Sequence, residues 1–272
     1  MAKLSNILIT ALNILTTIIS LIAIAIFIYL HFFINGSPTH CQQMVEWPIL
    51  IVGLILLTIS LLGMIGSWCR ITSLLWIYIV AVVGIMIGWC IFSVFVFMVT
   101  NKGAGKAVSG VGFEEYRVGD FNHWLQKHVV NGNNWVQIRS CLVDTKICGS
   151  LDRVYTNDGA DFLKNNLSPI QSSCCKPPTS CGFTPKNATN WEVPKSGPAS
   201  SDTDCSTWNN EQNKLCYDCK SCKAGVLANL RMEWRHFLIF NLIVILILFV
   251  IYMIGCCAVR NNYTPSSIHK YP

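Results

Sequence analysis

Four stretches of the chain, residues 7–33, 48–68, 73–99 and 237–259, contain no Asp, Glu, Lys or Arg. Each is about as long as the roughly 20 apolar residues that carry a helix across a hydrocarbon core of about 30 Å. Lipid offers no partner to backbone N–H and C=O groups, so a segment of this kind crosses as a helix that satisfies its own backbone. What remains is a short N-terminus (1–6), a small loop (34–47), a tight turn (69–72), a large insert (100–236) and a tail (260–272). Charge follows the same partition. Charged residues are only 12% of the chain, and 16 of the 20 Lys and Arg, with nearly all the acidic residues, fall between Asn101 and His236. The net charge of +6 is spread over that insert without a basic cluster, which excludes nucleic acid as a partner.

Short-loop charge sets the orientation. Lys3 precedes the first span, Arg70 lies between the second and third, and Arg260 follows the fourth, while the small loop carries only Glu46. Lys and Arg accumulate on the cytosolic side, so both termini are expected there and both loops outside. The first span lacks a small-residue cleavage pattern near Asn35 and reads as a retained anchor. Cysteine usage points the same way, because nine of the 14 lie in the insert: Cys141, Cys148, Cys174, Cys175, Cys181, Cys205, Cys216, Cys219 and Cys222. That density belongs to an oxidising compartment.

Within the insert, Phe121, Trp124, Leu125 and His128 recur at helical spacing, as do Trp135, Ile138 and Leu142. A shorter helix is expected over 160–167, ended by Ser168 and Pro169. The stretch 179–203, rich in Pro, Gly, Ser, Thr and Asn, reads as irregular loop, and 222–233 as a helix running into the fourth span. The adjacent Cys174 and Cys175 cannot easily bond each other, so each must reach a distant partner and together tie two segments to one point. Spacing pairs Cys141 with Cys148. Nine is odd, so either one thiol stays free or Cys41 in the small loop supplies the tenth.

Four spans, a short first loop, a long second loop, the block Cys174-Cys175-Lys176-Pro177-Pro178 and a last cysteine shortly before the final span together resemble the plant-type tetraspanins. The resemblance covers essentially the whole chain, although Ser173 stands where the family block usually opens with Gly. It implies an all-α membrane protein with four transmembrane helices and a disulfide-stapled, mainly helical large extracellular loop. It further implies bridges from Cys174 to Cys222 and from Cys175 to Cys205. In function it implies a scaffold of membrane microdomains, associating laterally with itself, other membrane proteins and lipid, with roles in cell differentiation and development.

Small residues form seams on the spans. Asn13 and Ser20 fall in register on the first, Gly53, Ser60 and Gly63 on the second, and Gly84 and Gly88 on the third. Asn13 and Asn241 lie towards opposite faces of the membrane, so no polar path suits a transporter. Cys256, Cys257 and Cys69 stand at cytosolic span ends, placed for S-acylation, whereas Cys90 is read as a packing residue. Of the Asn-x-Ser/Thr matches at Asn35, Asn166, Asn187 and Asn262, Asn187 is the best acceptor and Asn166 a weaker one. Between Cys181 and Cys205, Phe183 and Trp191 read as aromatic anchors for a protein partner.

No catalytic pattern is recognisable, and no metal or cofactor is called for. His123 and His128 stand five apart, off one helix face. The reading is therefore a non-catalytic scaffold at the plasma membrane. Two rivals from other classes are a membrane thiol oxidoreductase using the CxxCxxC run Cys216, Cys219 and Cys222, and a ligand-binding surface receptor.

Overall fold

A computed structural model describes residues 2–34, 40–69, 71–101, 106–107, 114–149, 151 and 167–268. These form two compact units, one of Met1–Val94 with Ile239–Pro272 and the other of Phe95–Leu238. Four helices are long and apolar enough to cross a membrane. The first three are α1 (Ala2–Tyr29), prolonged by a π-helical turn over Leu30–Ile34, α2 (His40–Trp68) and α3 (Thr72–Thr100). The fourth spans Lys220–Ile268 without a break, so the helix expected from Cys222 onward and the last apolar stretch are one rod. With the bridges of the large loop, this is an all-α multi-pass membrane protein.

In the first unit α1 and α2 pack along their lengths with small and polar side chains inward. Asn13, Ser20 and Ser60 are buried, while Ile18, Ile22, Ile51 and Val52 are about half exposed. That inversion suits lipid, which solvates Leu and Ile as well as a protein core does, so close backbone approach decides the packing. A Cβ on Gly63 would lie 2.6 Å from Asn13 Nδ2, and one on Gly53 3.1 Å from Ile24 Cγ1. Two hydroxyl pairs cross the interface: Thr17 Oγ1 donates to Ser60 Oγ at 3.0 Å and Thr10 Oγ1 to Ser67 Oγ at 3.1 Å. At one end of the unit Ile9, Leu75, Tyr78, Ile79, Ala258 and Val259 close a small apolar cluster. Gly84 and Gly88 do not share this role. A Cβ on either would meet nothing within 4 Å among the described residues, so close approach of a neighbouring helix is not what they serve there.

The second unit takes in the end of α3 and continues with a short antiparallel pair, β1 (Lys106–Ala107) with β2 (Glu114–Glu115), and a 3₁₀ turn at Val118–Asp120. Helices α4 (His123–His128) and α5 (Gly132–Asp144) take the two periodic stretches. Asn122 caps α4 by accepting from Trp124 N at 2.9 Å. Most of 160–167 lies outside the described residues. Ser168 and Pro169 open a helix, α6 (Pro169–Cys174), with Ser168 and Gln171 forming a capping box. They act here as a start signal, since Pro at the first helical position gives up only an N–H that has no partner there.

The stretch read as irregular holds a 3₁₀ turn (Thr179–Cys181) and a hairpin of β3 (Thr184–Pro185) with β4 (Trp191–Glu192). Asn187 Oδ1 accepts from the backbone N–H of Thr189 and Asn190, and Asn210 clamps Trp191 by bonding both its N–H and its C=O. Side-chain amides thus replace the longer ladder that Pro and Gly prevent. The order ends with α7 (Thr203–Thr207) and α8, the Lys220–Ile268 rod. Asp204 accepts from Lys220 N and Ser221 N, both at 2.8 Å, placing a carboxylate on the N-terminus of α8 where the helix dipole favours it. At the other end of the unit, Arg231 Nε donates to Thr100 O, the last carbonyl of α3, at 2.9 Å.

Candidate functional site

The covalent frame of the insert is the candidate site, because everything the loop presents hangs on it. Cys174 bonds Cys222, Cys148 bonds Cys175, Cys181 bonds Cys205 and Cys216 bonds Cys219. Cys141 is disulfide-bonded as well, so all nine cysteines of the insert are oxidised and none is a spare thiol. Two expected pairs are overturned. Cys175 does not reach Cys205, because Cys148 follows the turn after α5 and comes to a Cα–Cα distance of 5.3 Å from Cys175. Cys205 on α7 instead closes on Cys181 at 5.4 Å. Cys141 and Cys148 are likewise not partners, since Cys148 is buried towards Cys175. The signal for the Cys181 bridge was present in the sequence, because those two cysteines bracket the Pro- and Gly-rich stretch.

Around these bridges the core gathers Phe121, Leu125, Trp135, Tyr217 and Leu227 with the sulfur atoms themselves. Gly225 lets α8 lie against α6, for a Cβ there would come within 2.5 Å of Pro169 O and Ser173. In the Cys-Cys-Lys-Pro-Pro block, Lys176 is 1% exposed, with its Nζ 3.7 Å from Glu115 Oε1. Burial pulls its ammonium down to about 8, an effect that the neighbouring Glu115 only partly offsets. Glu115 also accepts from the N–H and hydroxyl of Thr179. The block is therefore a knot that joins β2, α6 and the following 3₁₀ turn.

The CxxC closed by Cys216 and Cys219 does not suit thiol exchange. Both residues are 0% exposed, and exchange requires a sulfur that an incoming thiolate can reach. Phe183 and Trp191, read as partner anchors, are 8% and 6% exposed and belong to the core of the unit. Both pack into the cluster that holds the bridged cysteines, and Glu192, Val193 and Lys195 are exposed instead. Among the described residues no His, Cys, Asp and Glu group is arranged to hold a metal. Asn187 is half-buried, and Asn166 and Asn35 lie outside the described residues. Cys69, Cys90, Cys256 and Cys257 are free thiols. Cys69, Cys90 and Cys257 are exposed and Cys256 is half-buried, so Cys90 faces outward rather than into the packing.

Comparison with known proteins agrees with this architecture. A model of the tetraspanin family matches residues 5–261. Tetraspanin-8 of Arabidopsis thaliana is 43% identical over 272 residues, covering 99% of this chain and 98% of the relative. Tetraspanin-11 from the same organism is 43% identical, covering 97% of each chain, and Protein TORNADO 2 is 41% identical, covering 98% of this chain and 97% of its own. No solved structure matches. Four spanning helices, a Cys-Cys-Lys-Pro-Pro knot bridged to the start of the last helix, and full-length similarity to these relatives make this chain a member of the tetraspanin family.

Proposed function

We propose that the protein is a non-catalytic scaffold of the plasma membrane, with both termini cytosolic, which organises microdomains by lateral association with itself and with other membrane proteins. The observation that carries this reading is the contrast between held and open surfaces. The insert is fixed by bridges, while the rim of 182–203 that includes Glu192, Val193 and Lys195 projects outward from a closed frame. Such a segment can vary in sequence without unfolding what lies beneath it, and partner choice resides there rather than on Phe183 or Trp191. In the membrane unit the outward faces of α1 and α3 are large and apolar, suited to lipid and to neighbouring helices. A role in cell differentiation and development rests on the plant-type resemblance.

Three further assignments belong to the same proposal. Asn187 carries a glycan, added before the hairpin closes. Cys256 and Cys257, with Cys69, carry acyl chains that hold the scaffold in ordered lipid. The insert is outside, so a glycosidase shift is lost in Asn187→Gln and retained in Asn262→Gln; the reverse pattern means the orientation is inverted. The function itself is tested by purification from native membranes in mild detergent, where other multi-pass or single-pass proteins should accompany the chain. Recovery of the chain alone, under conditions that preserve known complexes, would contradict the reading.

A further inference from the structure

Within the insert unit lies a cleft of about 860 Å³, walled by the β2 segment and its 3₁₀ turn, the Cys-Cys-Lys-Pro-Pro block, and the first residues of α7 and α8. Its size falls in the range of small-molecule sites, roughly 300–1,000 Å³. The walls are held rather than merely adjacent. Ser173 and Ser221, both lining residues, precede the bridged Cys174 and Cys222, and Ser180 and Asp204 precede the bridged Cys181 and Cys205. Two disulfides therefore anchor segments that wall one opening, the pre-organisation that lowers the entropic cost of binding a flexible ligand.

Most of the cleft's carboxylates are already engaged. Glu115 is bonded by Thr179 and approached by Lys176, Asp204 by the first two N–H groups of α8, and Asp202 by Asp204 N. Arg117 and Lys220 line the same cleft, are exposed, and among the described residues make no side-chain hydrogen bond or ion pair. Among the described residues the hydroxyls of Ser173 and Ser180 have no hydrogen-bond partner, and Ser221 Oγ meets the Cys216 sulfur at 3.8 Å. The Asp120 carboxylate, also in the lining, has no partner among the described residues.

Two open cations call for an anion. Open hydroxyls and an open carboxylate, which only accepts, call for hydroxyl groups on the same ligand. The apolar side chains in the lining, Tyr116, Val118 and Pro178, stand among these polar groups, and an aromatic ring beside hydroxyls and charges suits the mixed faces of a sugar. We propose that this cleft binds an acidic saccharide, its carboxylate met by Arg117 and Lys220 and its hydroxyls by Ser173, Ser180, Ser221 and Asp120. The charged pair fixes the ligand's orientation, and the serines and Asp120 select for a polyol.

The test is titration calorimetry of the full-length protein in lipid nanodiscs with a galacturonic acid trimer, its methyl ester and triglutamate. The acidic trimer should bind saturably and more weakly as salt rises, with the ester, which has the same shape but no charge, at least about tenfold weaker. Arg117→Ala and Lys220→Ala should each weaken the acidic trimer about tenfold. Neither side chain makes a hydrogen bond or ion pair among the described residues, so non-reducing mobility should stay that of the parent, and Lys195→Ala, outside the cleft, should bind like the parent. Equal affinity for acid and ester, unchanged affinity in both charge variants, or no binding would overturn the proposal. Triglutamate binding as tightly as the trimer would overturn it in favour of an acidic peptide.

Discussion

Along the α1–α2 interface the buried side chains include Asn13, Ser20, Ser60 and Ser67, whereas in the insert they include Trp135, Phe183, Trp191, Tyr217 and Leu227 with the cysteines. The two regions answer to different solvents. In lipid, burying Ile18 or Ile22 would gain nothing, so these stay on the outside and the helices meet through residues small enough for backbones to approach. Around the insert, in water, the large apolar residues go inward, but a chain full of Pro, Gly and Asn leaves a thin core. Covalent bridges make up the deficit there. The difference teaches that one region is stabilised by what its side chains lack, and the other by cross-links that restrain its unfolded state.

Breaking the insert should have the larger effect. The Cys174–Cys222 bridge closes a separation of 48 residues, for which the chain-entropy model gives about 4 kcal/mol. Replacing either cysteine by Ser should yield an insert that fails to reach a single non-reducing mobility and a protein retained inside the cell. Parent-like mobility and surface delivery would show that the bridge is dispensable.

Lys176 supplies a sharper probe of the same region. Its pKa is about 8 in the folded insert against 10.5 when unfolded, so between those values the unfolded chain holds a proton that the folded one lacks. Stability therefore rises with pH from about 8 towards 10, and below pH 8 the buried ammonium costs about 3 kcal/mol. Thermal unfolding followed by near-ultraviolet circular dichroism should show this rise in the parent and a flatter profile in Lys176→Met. Parallel profiles would mean that another group sets the dependence.

On the membrane side the expected changes are smaller. Gly63→Leu would drive a side chain into Asn13 and should separate α1 from α2 at a cost of about 1–3 kcal/mol. Crosslinking between cysteines introduced on the two helices reports it, and an unchanged yield would place the contact elsewhere. Thr17→Val removes the bond to Ser60 and should cost only about 0.6 kcal/mol, the usual size of such a contact between membrane helices. A steric-trapping measurement in bicelles resolves a change of that size.

What could be read without coordinates divides along the same line. The spans were legible because absence of charge over 20 residues has one physical meaning in a chain of this kind. Gly53, Ser60 and Gly63 stand out because close approach demands small residues at helical spacing. The insert was only partly legible. That Cys174 and Cys175 must part company follows from local geometry, but the partner of Cys175 depends on which distant segment the fold brings near, and Cys148 comes near only once the turn after α5 is made. Phe183 and Trp191 look like contact residues in sequence because aromatics among polar residues suit an interface. They are core because the fold packs both into the cluster that holds the bridged cysteines. The cleft carries no sequence signature at all, since its lining comes from segments far apart in the chain.

The central claim, that the rim of the insert chooses partners while the frame beneath it only holds, is tested most directly by exchange. Residues 182–203 are replaced by the corresponding stretch of a relative, with Cys181 and Cys205 kept, and the proteins that co-purify from native membranes are identified by mass spectrometry. The account predicts a changed partner set with membrane delivery and the Cys181–Cys205 bridge intact. An unchanged partner set on a correctly bridged, correctly delivered chimera would contradict it.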